Sequence, residues 1–299
     1  MLNIDRILEQ DRLLRATTGL NRKAFEHLVP RFEEVYQSSA QKSKPSRIRN
    51  VGGGRKSHLK TIKHKLFYIL FYFKCYPTFD LASILFDFDR SQAHRWAHRL
   101  VTILEETLGY KKVLPVRQIK SIEEFAQHFP QVKQVIIDGV ERPINRPKNK
   151  QKQKENYSGK KKRHTRKNVA LVSKDKKILQ LTPTKEGRIH DKKIHDYYDL
   201  IGAIPDEIEV LMDSGFQGVQ KEYDNLRLPH KKPKGGELTP EQLEYNRRLS
   251  QERIFCENAF AGVKRYNAVS SIYRNRVPEF DDPLILIPCG LWNFYLEVA

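Results

Sequence analysis

Through the first forty residues apolar side chains recur at helical spacing: Ile4, Ile7, Leu8 and Leu14, then Phe25, Leu28, Val29, Phe32 and Val35. That period predicts helices with one buried face. Residues 41–56 break it with lysine, arginine, proline and three consecutive glycines, and read as a basic linker. From His58 to about residue 108 the helical period returns in three pieces. The first stops near Tyr76-Pro77, because the residue before a proline is biased out of the helical region. Thr78 is placed to cap the second, with Asp80 in its first turn and Leu81, Ile84 and Leu85 as its expected buried face. Asp87-Phe88-Asp89 makes a tight turn into the third, where Ala93, Trp96, Ala97 and Leu100 form the expected core stripe. Gln92, Arg95 and Arg99 share another face. Two short helices with a basic second one resemble a helix-turn-helix, although a helical bundle with a solvated basic face has the same pattern.

After residue 111 the period shortens. Strands are expected at Val132 to Ile137, Asn168 to Ser173, Lys177 to Leu181 and Ile208 to Met212, with a short fifth at Arg227 to Pro229. A helix is expected from Asp191 to Leu200. Thr239-Pro240-Glu241 opens a long one, with a cap and a proline at the first helical position. Three strands, a helix, more strand and a long helix predict an α/β sheet domain. The expected division is therefore a helical region over 1–110 with its helix-turn-helix at about 58–108, a connector over 111–131 and a sheet domain over 132–299. No internal repeat is visible.

Charge narrows the function. The 299 residues carry 55 Lys and Arg against 36 Asp and Glu, a formal net charge of +19. A polyanion is the natural partner, nucleic acid before an anionic membrane. The stretch from Arg142 to Lys167 concentrates 12 Lys and Arg around one acidic residue, Glu155. It reads as a loop or hairpin passing under a nucleic-acid backbone, with Tyr157 available for stacking and Lys160, Lys161, Lys162, Arg163 and His164 for phosphates. Lys231, Lys232 and Lys234 form a second basic patch. Cys75, Cys256 and Cys289 form no C-x-x-C pair, so neither a disulfide framework nor a zinc site is indicated. The first twenty residues are too charged for a signal peptide, and no apolar run is long and unbroken enough for a membrane span. A cytoplasmic, nucleoid-associated protein without membrane contact is expected.

Three acidic residues stand out against this background. Asp138 ends Val-Ile-Ile-Asp, Asp213 ends Val-Leu-Met-Asp, and Glu257 lies in the last helical pattern. An aspartate before glycine is also a common turn former, so each alone is ambiguous. As a pair at strand ends they are more telling, because functional groups of α/β sheets gather at the carboxyl ends of strands. Arg253, Glu257, Phe260 and Lys264 are 4, 3 and 4 residues apart and share a helix face. Arg253 and Glu257 can form a surface ion pair there. Alternatively, Glu257 joins the aspartates while Arg253 and Lys264 hold phosphates or balance the carboxylates.

The segments Asp138-Gly-Val-Glu-Arg-Pro-Ile, Tyr157-Ser-Gly-Lys-Lys-Lys-Arg-His-Thr, Gly187-Arg-Ile-His-Asp, Asp213-Ser-Gly-Phe-Gln-Gly and Arg253-x-x-x-Glu257-x-x-Phe260-x-x-x-Lys264 resemble those of the DDE transposases. The resemblance is strongest to bacterial insertion-sequence transposases related to the PIF/Harbinger elements. It spans about residues 60 to 275 and includes the Lys74-Cys-Tyr-Pro-Thr-Phe region. It departs at Gly187-Arg, where Gly-Ser or Gly-Ala is the expected pair, which leaves His190 and Asp191 without an assigned role. The resemblance implies an RNase H-like catalytic domain behind a helix-turn-helix. Its acidic triad falls on Asp138, Asp213 and Glu257, with two Mg²⁺ ions, replaceable by Mn²⁺, as cofactor. It further implies an enzyme that binds element ends in double-stranded DNA, cuts strands and transfers them, working as a homodimer or larger assembly. Other readings of the same chain are a non-catalytic DNA-binding regulator, a nuclease of the same fold and an RNA-binding protein. A complete acidic triad has no use in a pure binder.

Overall fold

The structure is a computed structural model that describes residues 1–42, 57–219 and 222–298. Most of the expected linker at 41–56 lies outside the described residues. The chain forms two compact units. One comprises 1–114, 264–271 and 283–299; the other comprises 115–263 and 272–282.

The first unit begins with α1 (Ile4–Glu9), α2 (Asp11–Thr18) and α3 (Arg22–Lys42). Leu14, Phe25, Leu28 and Phe32 are fully buried, as their period requires. α4 (Ile62–Cys75) starts under a Thr61 cap and ends where Tyr76 turns left-handed before Pro77. α5 (Phe79–Phe86) is capped by Thr78, whose Oγ1 accepts from Leu81 N at 3.1 Å. Asp87 is left-handed, Asp89 caps α6 (Arg90–Tyr110), and the two helices form the expected turn.

The buried face of α5 is not the expected one. Leu81 and Ile84 are 47% and 70% exposed, while Ala82 and Phe86 are buried. Both stripes of this short helix are apolar. Phe86 decides between them, because its ring packs against Phe67, Tyr68 and Phe71, and an aromatic buries more surface than an aliphatic side chain. On α6 Ala93, Ala97 and Leu100 are buried, but Trp96 is only half-buried and lies under the Arg99 guanidinium, 5.7 Å from its centroid.

In the second unit α7 (Ile122–His128) precedes β1 (Gln134–Pro143). Then come α8 (Lys150–Asn156), β2 (Tyr157–Ser158), β3 (Arg163–Ser173), β4 (Ile178–Leu181), β5 (Lys185–Glu186), α9 (Asp191–Tyr198), β6 (Glu209–Met212), β7 (Leu226–Arg227) and α10 (Pro240–Lys264). The mixed sheet runs β2-β3-β1-β6-β7, with β4 and β5 also on β3. β1 is antiparallel to β3 and parallel to β6, and β6 is parallel to β7. This is the RNase H-like α/β arrangement expected. Val135, Ile136 and Ile137 are all fully buried, so β1 is covered on both faces and needs no polar alternation. Back in the first unit, α11 (Asn267–Ser270) and α12 (Pro283–Val298) complete the chain, the latter with Leu284, Ile285, Ile287 and Leu291 fully buried. No helix among the described residues is long and apolar enough to cross a membrane.

One strand expectation is corrected and one segment is more ordered than expected. β1 does not stop at Asp138 but continues five residues to Pro143, paired with β3 from Val135↔Ser173 to Pro143↔Thr165. The partner strand on that side supplies hydrogen bonds where an isolated Asp-Gly would turn. The basic stretch 142–167, expected as a loop or hairpin, does form a hairpin, but as one part of a more ordered segment. It holds helix α8, a hairpin tip at Gly159–Lys162 and the first half of β3. Arg142, Arg166 and Lys167 from that stretch point inward.

Candidate active site around Asp138, Asp213 and Arg253

The parallel pairing of β1 and β6 runs from Gln134↔Glu209 to Ile137↔Met212. Asp138 and Asp213 are therefore the next residues on two adjacent strands, just beyond the last paired position. Each carboxylate folds onto its own chain: Asp138 Oδ1 accepts from Gly139 N, and Asp213 Oδ1 from Ser214 N, both at 2.7 Å. Past that point β6 ends and a short 3-10 turn begins at Ser214. The opening beside β1 is thus made by the end of β6, with β1 itself still in the sheet.

α10 brings a cation into this opening. Thr239 caps the helix, accepting from Gln242 N at 3.3 Å, and Pro240 takes the first helical position. Arg253 lies between the aspartates, its Nη2 3.5 Å from Asp138 Oδ2 and its Nη1 3.4 Å from Asp213 Oδ1. Its side chain is only 17% exposed, and its Nε has no hydrogen-bond partner. Glu257, one turn further along α10, is exposed, and among the described residues no ion pair joins it to Arg253. The predicted surface pair between them is replaced by two ion pairs to the sheet, where a partly buried carboxylate pair attracts a guanidinium more strongly than a solvated glutamate does. Among the described residues no three His, Cys, Asp or Glu side chains are grouped to hold a metal ion. The site offers two adjacent hard-oxygen carboxylates, the donor chemistry that suits Mg²⁺ or Mn²⁺.

A further carboxylate, left without a role by the sequence reading, comes from the Gly-Arg-Ile-His-Asp segment. Asp191 opens α9 and presses against Gly139, where a Cβ would come within 2.8 Å of Asp191 Oδ1. Gly139 is thus a strand residue that makes room, not a turn residue. Lys167 Nζ holds Asp191 at 3.1 Å and Glu141 at 3.4 Å, and donates to Ile189 O at 2.8 Å. Burial pushes the Asp138 carboxyl above the usual carboxylate range against the pull of Arg253 and the Gly139 N–H, and the negative charges of Asp213 and Asp191 push it further.

The other candidates divide. Lys160, Lys161, Lys162 and Arg163 are exposed at the β2–β3 hairpin, where Tyr157 pairs with His164 across the strands. Lys231 and Lys232 line a cavity of about 380 Å³ together with Asp213 and Arg253, which ties that patch to the site. Lys264 is exposed at the end of α10. In the first unit Arg95 is exposed and bonded to Ser91, Gln92 is half-buried, and Arg99 sits over the Tyr36 ring at 4.8 Å. Arg99 is thereby engaged inside its own unit, since a guanidinium is drawn to an aromatic face.

A helical unit with a capped two-helix turn, and an RNase H-like sheet with paired aspartates, define a two-part protein of the kind that joins a DNA-binding module to a phosphoryl-transfer domain. The chain belongs to the DDE superfamily of endonucleases. The family pattern described as DDE superfamily endonuclease matches residues 137–293, and that of the helix-turn-helix of DDE superfamily endonuclease matches residues 57–109. A protein of Microchaete diplosiphon, described as a probable transposase for insertion sequence element IS702, is 30% identical over 288 residues, covering 96% of this chain and 95% of its own. No solved structure matches.

Proposed function

We propose that the protein is a DNA transposase that binds the ends of its element and carries out metal-dependent strand cleavage and strand transfer. The observation that carries this is the register of β1 and β6, which sets Asp138 beside Asp213 in a chain of the DDE superfamily. The similarity to a probable transposase over nearly the whole length supports transposition over simple nuclease action. Asp138 and Asp213 would hold Mg²⁺ or Mn²⁺, with Glu257 completing the set from the same helix as Arg253. A bound divalent ion supplies an activated water or 3′-hydroxyl and a stabilised leaving oxygen.

The protein's own groups bind and orient the DNA. Arg253 neutralises the aspartates in the metal-free protein and is placed to reach a phosphate once they hold a cation. Lys231 and Lys232, in the same cavity as Asp213, add positive charge for the scissile strand. Gln92 and Arg95 read or grip the duplex from the exposed side of α6, and Arg99 sets the helix by its stacking on Tyr36. Lys160, Lys161, Lys162 and Arg163 contact phosphates without reading sequence, and Lys264 adds a further backbone contact. Synapsis of two ends requires a homodimer or larger assembly.

The test is a labelled duplex carrying the element's ends, incubated with the full-length protein in Mg²⁺ or in EDTA, beside Asp213→Asn. Terminal nicks that need both metal and Asp213, followed by joining of the 3′-end to a target duplex, are expected. Tight binding without cleavage in Mg²⁺ and Mn²⁺ would replace this reading with a DNA-binding regulator.

A further inference from the structure

Beside the aspartates lies a cavity of about 1010 Å³, walled by α8, the β2–β3 hairpin and the loop into α9. Five permanent cations line it; Arg146 is held by Gln153 Oε1 and Lys167 by carboxylates, which leaves Lys154, Lys160 and Arg188. Among the described residues none of the three charged groups has a hydrogen-bond or ion-pair partner. Elsewhere in this unit Arg166, Lys167, Arg227 and Arg253 are paired with carboxylates. The floor, by contrast, is closed: Lys167 is tied to Glu141 and Asp191. Tyr157 stands at the wall, 43% exposed, its ring edge-on to His164 at 5.6 Å between centroids. One end of the cavity reaches Asp191, which abuts Gly139 next to Asp138, and Gly215, two residues after Asp213.

We propose that this cavity takes an unpaired nucleotide of the DNA strand that enters the site. The inference rests on the nucleic-acid reading above and deepens it. Unpaired cations on a concave wall call for an anion, and three of them call for a phosphate-bearing ligand. An exposed tyrosine in the same wall calls for a flat ring. A nucleotide supplies both, but only outside the duplex: in paired DNA the base faces are covered by their neighbours and the phosphates lie on a convex surface. The volume is at the upper end of that of ligand-binding clefts and accommodates a nucleotide. Base stacks on Tyr157, phosphate lies against Lys160 and Arg188, and the adjacent strand continues toward Asp138 and Asp213.

The experiment compares two fluorescein-labelled duplexes bound to the full-length protein in EDTA, one blunt and one with a short unpaired 3′ overhang, by fluorescence anisotropy. The overhang is expected to bind about tenfold more tightly, the scale of one base stacked on an aromatic. Tyr157→Ala is expected to bring the ratio of the two affinities close to one, and Tyr157→Phe to keep it. A Lys160→Gln, Arg188→Gln double variant should weaken the overhang more than the blunt duplex. Equal affinity of the wild type for both duplexes, or a preference that survives in Tyr157→Ala, overturns the proposal. Because binding is read without metal, the two readings separate. Loss of the overhang preference in a protein that still cuts element ends removes only the cavity proposal. A Tyr157-dependent preference in a protein that never cuts leaves the cavity as a nucleotide site and removes the transposase.

Discussion

Two clusters in the sheet unit set guanidinium groups against carboxylates, and they do so differently. In one, Arg166 donates to Asp281 at 2.7 Å and to Glu186 at 2.8 Å, and Arg117 reaches both oxygens of Asp282 at 2.9 and 2.7 Å. Arg142, 2% exposed, donates to Asp281 O, Asn168 Oδ1 and Thr184 Oγ1. In the other, Arg253 stands 3.4 and 3.5 Å from Asp213 and Asp138 with its Nε unpartnered. The first cluster makes short contacts, although Arg117 Nη1 and Arg142 Nε have no hydrogen-bond partner among the described residues, and ties β1, β3 and the 281–282 segment together. The second makes only contacts longer than those of the first, which hold the Arg253 guanidinium less firmly on its carboxylates. Short contacts mark structure here, and longer ones mark function.

Substitution can break that distinction. Asp213→Asn should lower cleavage on the order of a thousandfold, the several kcal/mol that metal chemistry contributes. Its melting temperature should stay near that of wild type, since an asparagine oxygen can still accept from Ser214 N. A large fall in melting temperature would place Asp213 with the structural cluster. Arg142→Ala should do the reverse and cost about 3 kcal/mol or more in chemical denaturation, because it strands buried acceptors and opens a void. A variant of near-native stability would show that this network of short contacts is not what holds the sheet.

Smaller effects sharpen the picture. Arg253→Gln should tighten Mn²⁺ binding several-fold in isothermal titration calorimetry, since the ion no longer competes with a fixed positive charge. Weaker binding would mean that Arg253 positions the aspartates and does not merely balance them. The smallest effect concerns His195, which is 2% exposed beside Phe216 and Tyr223. Burial pulls its pKa below the ordinary histidine value, against the opposing pull of Asp196. The unfolded chain therefore takes up this proton first as pH falls. Stability is full above the ordinary histidine pKa and declines as pH drops from there toward the lowered folded value. A His195→Gln variant should show a shallower decline between about pH 7 and pH 5, where an unperturbed histidine begins to charge. An unchanged slope would assign the acid sensitivity elsewhere.

Much of this was legible in the chain. The caps at Thr78 and Thr239, the stop at Tyr76-Pro77 and the apolar run before Asp138 set the elements, because caps and prolines act over a few residues. The pair Asp138 and Asp213 was visible as two acids after two apolar runs. What misled was local ambiguity. α5 has two apolar stripes, and only the packing of Phe86 chose between them. Asp138-Gly139 reads as a turn until β3 is seen to pair on beyond it. The 12 cations of 142–167 look alike, although Arg142, Arg166 and Lys167 are structural and Lys154 and Lys160 face a cavity.

The sequence by itself determined the helical and sheet parts, the positive charge, the helix-turn-helix and the two aspartates, since each depends on period, capping or residue type within a short window. Only the tertiary structure decided that β1 and β6 are parallel neighbours, that Arg253 rather than Glu257 stands between the aspartates, and that Asp191 leans on Gly139. It also decided which cations are left unpaired. Those are pairings between residues dozens of positions apart, and a charge takes its partner from whichever group the fold brings within reach, not from its neighbours along the chain.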